Sequence, residues 1–147
     1  MKRIATLIIA LFAISVAHCQ SALCRQFMPQ KSIQTYCVDN YPLGNDDSIN
    51  VTFLMASDSD AYNTMLRFLI SLPNTRGASS IEQRYKREMN PKKYFIIHLS
   101  ATLPGDRGRY LTFFSPHNMS AMVFHIHNND DMEKVVAHVL TKETTTD

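Results

Sequence analysis

Tryptophan is absent from the chain, and glycine occurs only four times and cysteine three times in 147 residues. With so little glycine there is no Gly-x-Ser-x-Gly nucleophile elbow and no phosphate loop with its lysine, which excludes two well-marked routes to hydrolase and nucleotide chemistry. No His-Glu-x-x-His helix and no cysteine-rich knuckle is present, so the best-defined zinc motifs are missing too. Beyond Val16 no apolar run approaches the roughly 20 residues that a membrane helix needs. Internal repeats are lacking. So is a strong charge of one sign: fifteen basic residues face thirteen acidic ones, and Lys2 and Arg3 belong to a leader, so a nucleic-acid partner is poorly supported.

What is present begins with that leader. Lys2 and Arg3 precede an apolar stretch from Ile4 to Val16, interrupted only by Thr6 and Ser15, and small residues follow. This is the pattern of a secretory signal peptide, assigned to residues 1–19. Ser15-Val16-Ala17 and Ala17-His18-Cys19 both offer small residues where a signal peptidase reads them. A cut after Cys19 leaves Cys24 and Cys37, which an oxidising exterior would join into a short-loop disulfide worth about 3 kcal/mol in the loop-entropy model. A cut after Ala17 leaves Cys19 as an odd thiol able to link two chains. We take the intrachain bond and a monomer as the expectation, with the disulfide-linked dimer as the alternative. Asn50-Val51-Thr52 and Asn118-Met119-Ser120 are sequons, so Asn50 and Asn118 are candidate glycosylation sites.

Without the leader about 128 residues remain, one domain's worth, and a hydrophobic content of 45% is far from the composition of disordered chains. Charge is uneven along the chain. Residues 76–109 hold eight basic and three acidic side chains, so Arg84, Lys86, Arg87, Lys92 and Lys93 are candidates for a face that docks an anionic partner such as a polyanion.

Residues 20–48, with Pro29, Pro42 and Gly44, read as an irregular, extended or partly helical N-terminal arm held by the disulfide. An α+β domain is then expected over 49–141. In "INVTFLMA" the residues Ile49, Val51, Phe53 and Met55 alternate with polar Asn50 and Thr52, a strand whose glycan would point away from the core. Tyr62, Met65, Leu66 and Leu69 recur at helical spacing after a cap at Ser57 or Asp58, and Pro73 stops that run. A weaker helix follows Ser79 or Ser80, with Ile81, Tyr85 and Met89 on one face. "KYFIIHLSATL" reads as a central strand, and the tight turns at 104–108 and 116–120 connect it to "RYLTFFSP" and "AMVFHIH" as an antiparallel meander. A last helix opens at Asn129 or Asp130 and carries Met132, Val135, Val136, Val139 and Leu140 on one stripe. Residues 142–147 read as a flexible tail.

The expected fold is therefore a single α+β domain of order β-α-α-β-β-β-α, a mostly antiparallel sheet of about four strands packed with two to three helices. The strand-helix-strand order before a hairpin and terminal helix is similar to the thioredoxin-like fold, and the strand-proline-strand-helix ending is similar to actin-depolymerising domains. Ser57-Asp58-Ser59-Asp60 stands where the first would carry Cys-x-x-Cys, and no residue role transfers from either.

The histidines are the remaining chemical signal. His125 and His127, two apart on a strand, project to one side at about 7 Å between Cα atoms. They could share an ion, with His98 or an acid at Asp130 or Asp131 completing a zinc site. Alternation with Met122, Phe124 and Ile126 is equally the signature of a half-solvated antiparallel strand. His98-Leu99-Ser100 is similar to the His-x-Ser/Thr motif of 2H phosphoesterases, but His125-Ile126-His127 lacks the hydroxyl of the second copy that chemistry requires. By elimination the chain is expected to be a small secreted glycoprotein, a non-enzymatic, ligand-like or inhibitor-like binding module for an extracellular protein or polyanion. The alternative is a secreted metal-binding protein or metal-dependent hydrolase using His98, His125 and His127.

Overall fold

A computed structural model describes residues 21–44, 46–75 and 96–145. The leader expected at 1–19, the weaker helix expected after Ser79 or Ser80, and the basic face expected from Arg84, Lys86, Arg87, Lys92 and Lys93 lie outside the described residues. The elements in chain order are α1 (Ala22–Phe27), β1 (Ile33–Gly44), β2 (Asp47–Ala56), α2 (Ser59–Ser71), β3 (Ile96–Ala101), β4 (Arg109–Ser115), β5 (Ser120–Ile126) and α3 (Asn129–Thr145). The five strands form one sheet of order β1-β2-β5-β4-β3, with every pairing antiparallel. The α+β class and the β3-β4-β5 meander therefore hold. The likeness to the thioredoxin-like fold ends at the order of elements, because among the described residues no two neighbouring strands are parallel.

Three expectations change. Residues 22–44 are a short helix and a twelve-residue strand rather than an irregular arm, giving five strands instead of four. Pro42 disguises β1, but proline is tolerated because β1 is an edge strand whose outer N–H groups have no ladder to serve. Its register also shifts between Val38 and Tyr41 and again between Pro42 and Gly44, and Asn40 takes the left-handed conformation (φ 58°) that asparagine accepts more readily than branched residues do. The apolar β3 is the opposite edge, not a central strand. Its outer side is shielded by the segment after α2: Ala101 N–H donates to the Pro73 carbonyl at 2.9 Å and Thr75 N–H to the Leu99 carbonyl at 3.3 Å. Finally, α3 runs on to Thr145 past the expected tail, since no glycine or proline stands there to stop it.

Helices cover both faces of the sheet, and this is why strands that read as half-polar are buried on both sides. On one face α3 sets Met132, Val135, Val136 and Val139 against Val51, Leu99, Leu111, Phe113, Phe124 and Ile126. On the other face α1 and α2 set Leu23, Phe27, Tyr62, Met65 and Leu69 against Leu54, Tyr110, Phe114, Ala121 and Val123. Each large apolar side chain removed from water contributes about 1.5–3 kcal/mol before the entropy of ordering is counted. Met55, expected in the core, is 47% exposed.

The helix starts follow from capping chemistry. Asp58 accepts from the Ala61 N–H at 2.8 Å and caps α2 as expected. For α3 the cap is Asn128, one residue earlier than expected: its Oδ1 accepts from Asp131 N–H at 2.8 Å, while Asp131 reaches back to His127 N–H at 3.0 Å. The first turn of α1 receives three acceptors. Ser21 Oγ takes the Cys24 N–H at 3.1 Å, and the Asp106 carboxylate takes those of Ala22 and Leu23 at 2.7 and 3.3 Å. A helix of six residues would not persist alone in water; here it is pinned by that carboxylate, by its buried Leu23 and Phe27, and by a disulfide.

Candidate functional site: a polar cleft between the first helix and the sheet

The Cys24–Cys37 disulfide, with its Cα atoms 6.3 Å apart, ties α1 to β1. Cys37 stands opposite Thr52 in the β1-β2 ladder, and Thr52 stands opposite Val123 in the β2-β5 ladder. Since side chains two apart on a strand share a face, His125 projects to the same side as Thr52 and Cys37. The face that alternation assigned to solvent is thus the one beneath α1. Thr52 is 1% exposed and His125 7%.

These groups floor a cleft of about 370 Å³ that runs between α1, the β1-β2 pair and the β3-β4 turn. Exposed Asp39, Asn50, Arg107 and His127 form its rim. The β3-β4 turn is drawn in close: Gly108 has a φ of 80°, and a Cβ there would overlap the Ile126 carbonyl. This approach sets Asp106 and Arg107 over the sheet.

Behind the lining, Asp106 and His125 are backed by the fully buried Tyr110. Tyr110 donates its hydroxyl to Asp106 Oδ2 at 2.5 Å and accepts from Leu103 N–H at 3.2 Å. Burial above all, and then the bond to Asp106, raise the Tyr110 pKa far above its ordinary value. The Tyr110 ring meets His125 edge to face at 5.3 Å. Burial chiefly, with His127 adding to it, lowers the His125 pKa, against the pull of Asp106 and Asp39, so the imidazole is neutral at pH 7.

Two contacts meet at the Thr52 hydroxyl. Thr52 Oγ1 lies 3.1 Å from His125 Nε2 and 3.5 Å from Cys24 Sγ. A disulfide sulphur has no hydrogen to give, so for both contacts to be hydrogen bonds the threonine proton must point at the sulphur. His125 Nε2 must then carry the proton it donates to Thr52. In that arrangement the protonated imidazole nitrogen is not available as the threonine's base.

The three histidines proposed as one ligand set are not brought together. His125 and His127 both line the cleft, but His98 does not. It pairs with Thr112, which pairs with Val123. Strand and residue spacings therefore put its Cα about 12 Å from that of His125, and its Nε2 is held by the Leu72 carbonyl at 2.9 Å. Among the described residues no cluster of three or more His, Cys, Asp or Glu is arranged to hold a metal ion. Asp130 and Asp131 lie in the first turn of α3, where acids complement the helix dipole. Of the two sequons, Asn50 is an exposed strand residue whose Oδ1 accepts from Asn40 N–H at 3.2 Å, and Asn118 lies exposed in the β4-β5 turn.

Thr52, Asp106 and Tyr110 carry much of the site and were missed in the sequence. Asp106 read as turn chemistry within "PGDRG", and nothing local marks its bonds to residues more than eighty positions earlier. No helix among the described residues is long and apolar enough to cross a membrane. Compared with protein-family models, curated proteins and solved structures, the chain matches none.

Proposed function

We propose that this chain is an exported binding module whose contact site is the polar cleft beside α1, taking a small polar ligand rather than turning one over. One observation carries the reading: a cleft of about 370 Å³ falls in the range of small-molecule sites, and its exposed rim of Asp39, Asn50, Arg107 and His127 offers both donors and acceptors. The floor supports binding over catalysis, because Asp106 is committed to α1 and Tyr110, and Thr52 is held between His125 and a disulfide sulphur. Export is supported by the disulfide, which an oxidising compartment sustains and a reducing one does not, and by the leader pattern of residues 1–19.

The test is native mass spectrometry of the full-length reading frame secreted from cultured cells. The expected result is a processed chain in the medium with the bridge intact and a small ligand bound, the adduct being lost from the Arg107→Ala and Asp39→Ala variants. Retention of the uncut chain in the cytosol with reduced thiols would contradict export. An adduct unchanged in both variants would contradict the cleft.

A further inference from the structure

We propose that the Cys24–Cys37 bridge is an exchange site for small external thiols, with Cys37 the sulphur attacked and Cys24 the sulphur released. The two sulphurs face different surroundings. Cys24 is 2% exposed, whereas Cys37 is half-buried on an edge strand, and both line the open cleft. A thiolate entering the cleft therefore reaches Cys37 Sγ first, and the leaving sulphur lies inward.

The inward sulphur is provisioned for negative charge. Thr52 Oγ1 lies 3.5 Å from Cys24 Sγ and 3.1 Å from His125 Nε2, so its hydroxyl is placed to donate to a thiolate there while His125 Nε2–H donates to it. When R–S⁻ attacks, a bond forms between its sulphur and Cys37 Sγ, the Cys24–Cys37 bond breaks, and the electron pair leaves on Cys24 as thiolate. The external thiol is oxidised to a mixed disulfide, Cys24 is reduced, and no proton has to move. The Thr52 hydroxyl is within reach of the new charge, and a stabilised thiolate leaves faster. A second thiol completes the cycle, releasing R–S–S–R and leaving the dithiol.

The fold tolerates the opening. Leu23 and Phe27 are buried in the core, and Asp106 holds two α1 amides. The helix therefore stays docked when its covalent tie is cut, and closure can follow. The inference does not rest on the cleft having a resident ligand; it needs only that a thiol can enter.

The experiment exposes the folded, oxidised protein briefly to glutathione, quenches with iodoacetamide and maps the modified peptides. The expected product carries glutathione on Cys37 and the alkyl group on Cys24, with circular dichroism unchanged. In protein produced without glycans, Thr52→Val should slow adduct formation about tenfold, the scale of one hydrogen bond to a charged group, and Thr52→Ser should restore it. Glutathione on Cys24 in the wild-type protein, or no adduct until the protein unfolds, would overturn the proposal. So would equal rates for the wild type and the valine variant. None of these outcomes bears on whether the cleft binds a ligand.

Discussion

Asp106 accepts the Tyr110 hydroxyl on the same carboxylate oxygen that receives the Leu23 amide, so one acid joins the β3-β4 turn, the sheet and α1. Removing it leaves two helix amides and a buried phenol unserved. Asp106→Ala is expected to lose about 2–4 kcal/mol in equilibrium urea unfolding, and Asp106→Asn to lose less because it keeps an acceptor. Near-wild-type stability of the alanine variant would show that α1 is held by its apolar contacts alone.

Acid should weaken the fold through His125. Unfolded, its imidazole titrates near its ordinary 6.5; folded, burial first of all holds it lower. The unfolded state then binds more protons across that interval. The stability His125 contributes is complete above the unfolded value and is lost as pH falls through the folded one. Urea midpoints measured from about pH 5 to 8 should rise with pH in the wild type and rise less steeply in His125→Gln. Equal slopes would remove His125 from the account.

Gly108 and Gly44 both have positive φ, but they should respond differently to a side chain. A Cβ at Gly44 meets nothing within 4 Å, whereas one at Gly108 runs into the Ile126 carbonyl. Gly44→Ala is expected to cost about 1–2 kcal/mol of backbone strain and Gly108→Ala about 2–4 kcal/mol, overlap included. Thermal unfolding of the two variants checks the order.

The sequons should differ in occupancy. Asn118 sits on an exposed turn, but Asn50 depends on a Thr52 hydroxyl that folding buries, so its modification has to precede closure of the site. Peptide mapping of the chain expressed through a eukaryotic secretory pathway is expected to find Asn118 glycosylated more fully than Asn50, and Asn118→Gln should remove the larger share of the glycan mass. The reverse distribution would show modification completed before folding.

The parts of this fold that were legible in the sequence are those whose cause is local. Tyr62, Met65 and Leu69 mark α2 because helical period and burial coincide, Asp58 and Pro73 bound it, and the two tight turns dictate the β3-β4-β5 meander. The Cys24–Cys37 pairing follows from the cysteine count and the leader-like pattern of residues 1–19. What escaped was set by distant chain. Edge strand β1 is hidden by Pro42, which an edge position and the register shift beside it tolerate. Alternation in β2 and β5 implied a wet face, yet α1, brought there by the disulfide and Asp106, covers Thr52 and His125. His98 looked like a partner for His125 until strand order placed β4 between them.

The most direct test of the central claim is an amide chemical-shift titration of the oxidised, isotope-labelled protein against a panel of small polar molecules. The account predicts saturable shifts confined to Asp39, Asn50, Arg107, His127 and their neighbours around the cleft, abolished in Arg107→Ala. Shifts clustered on another surface, or a panel that leaves the cleft amides unmoved, would contradict it.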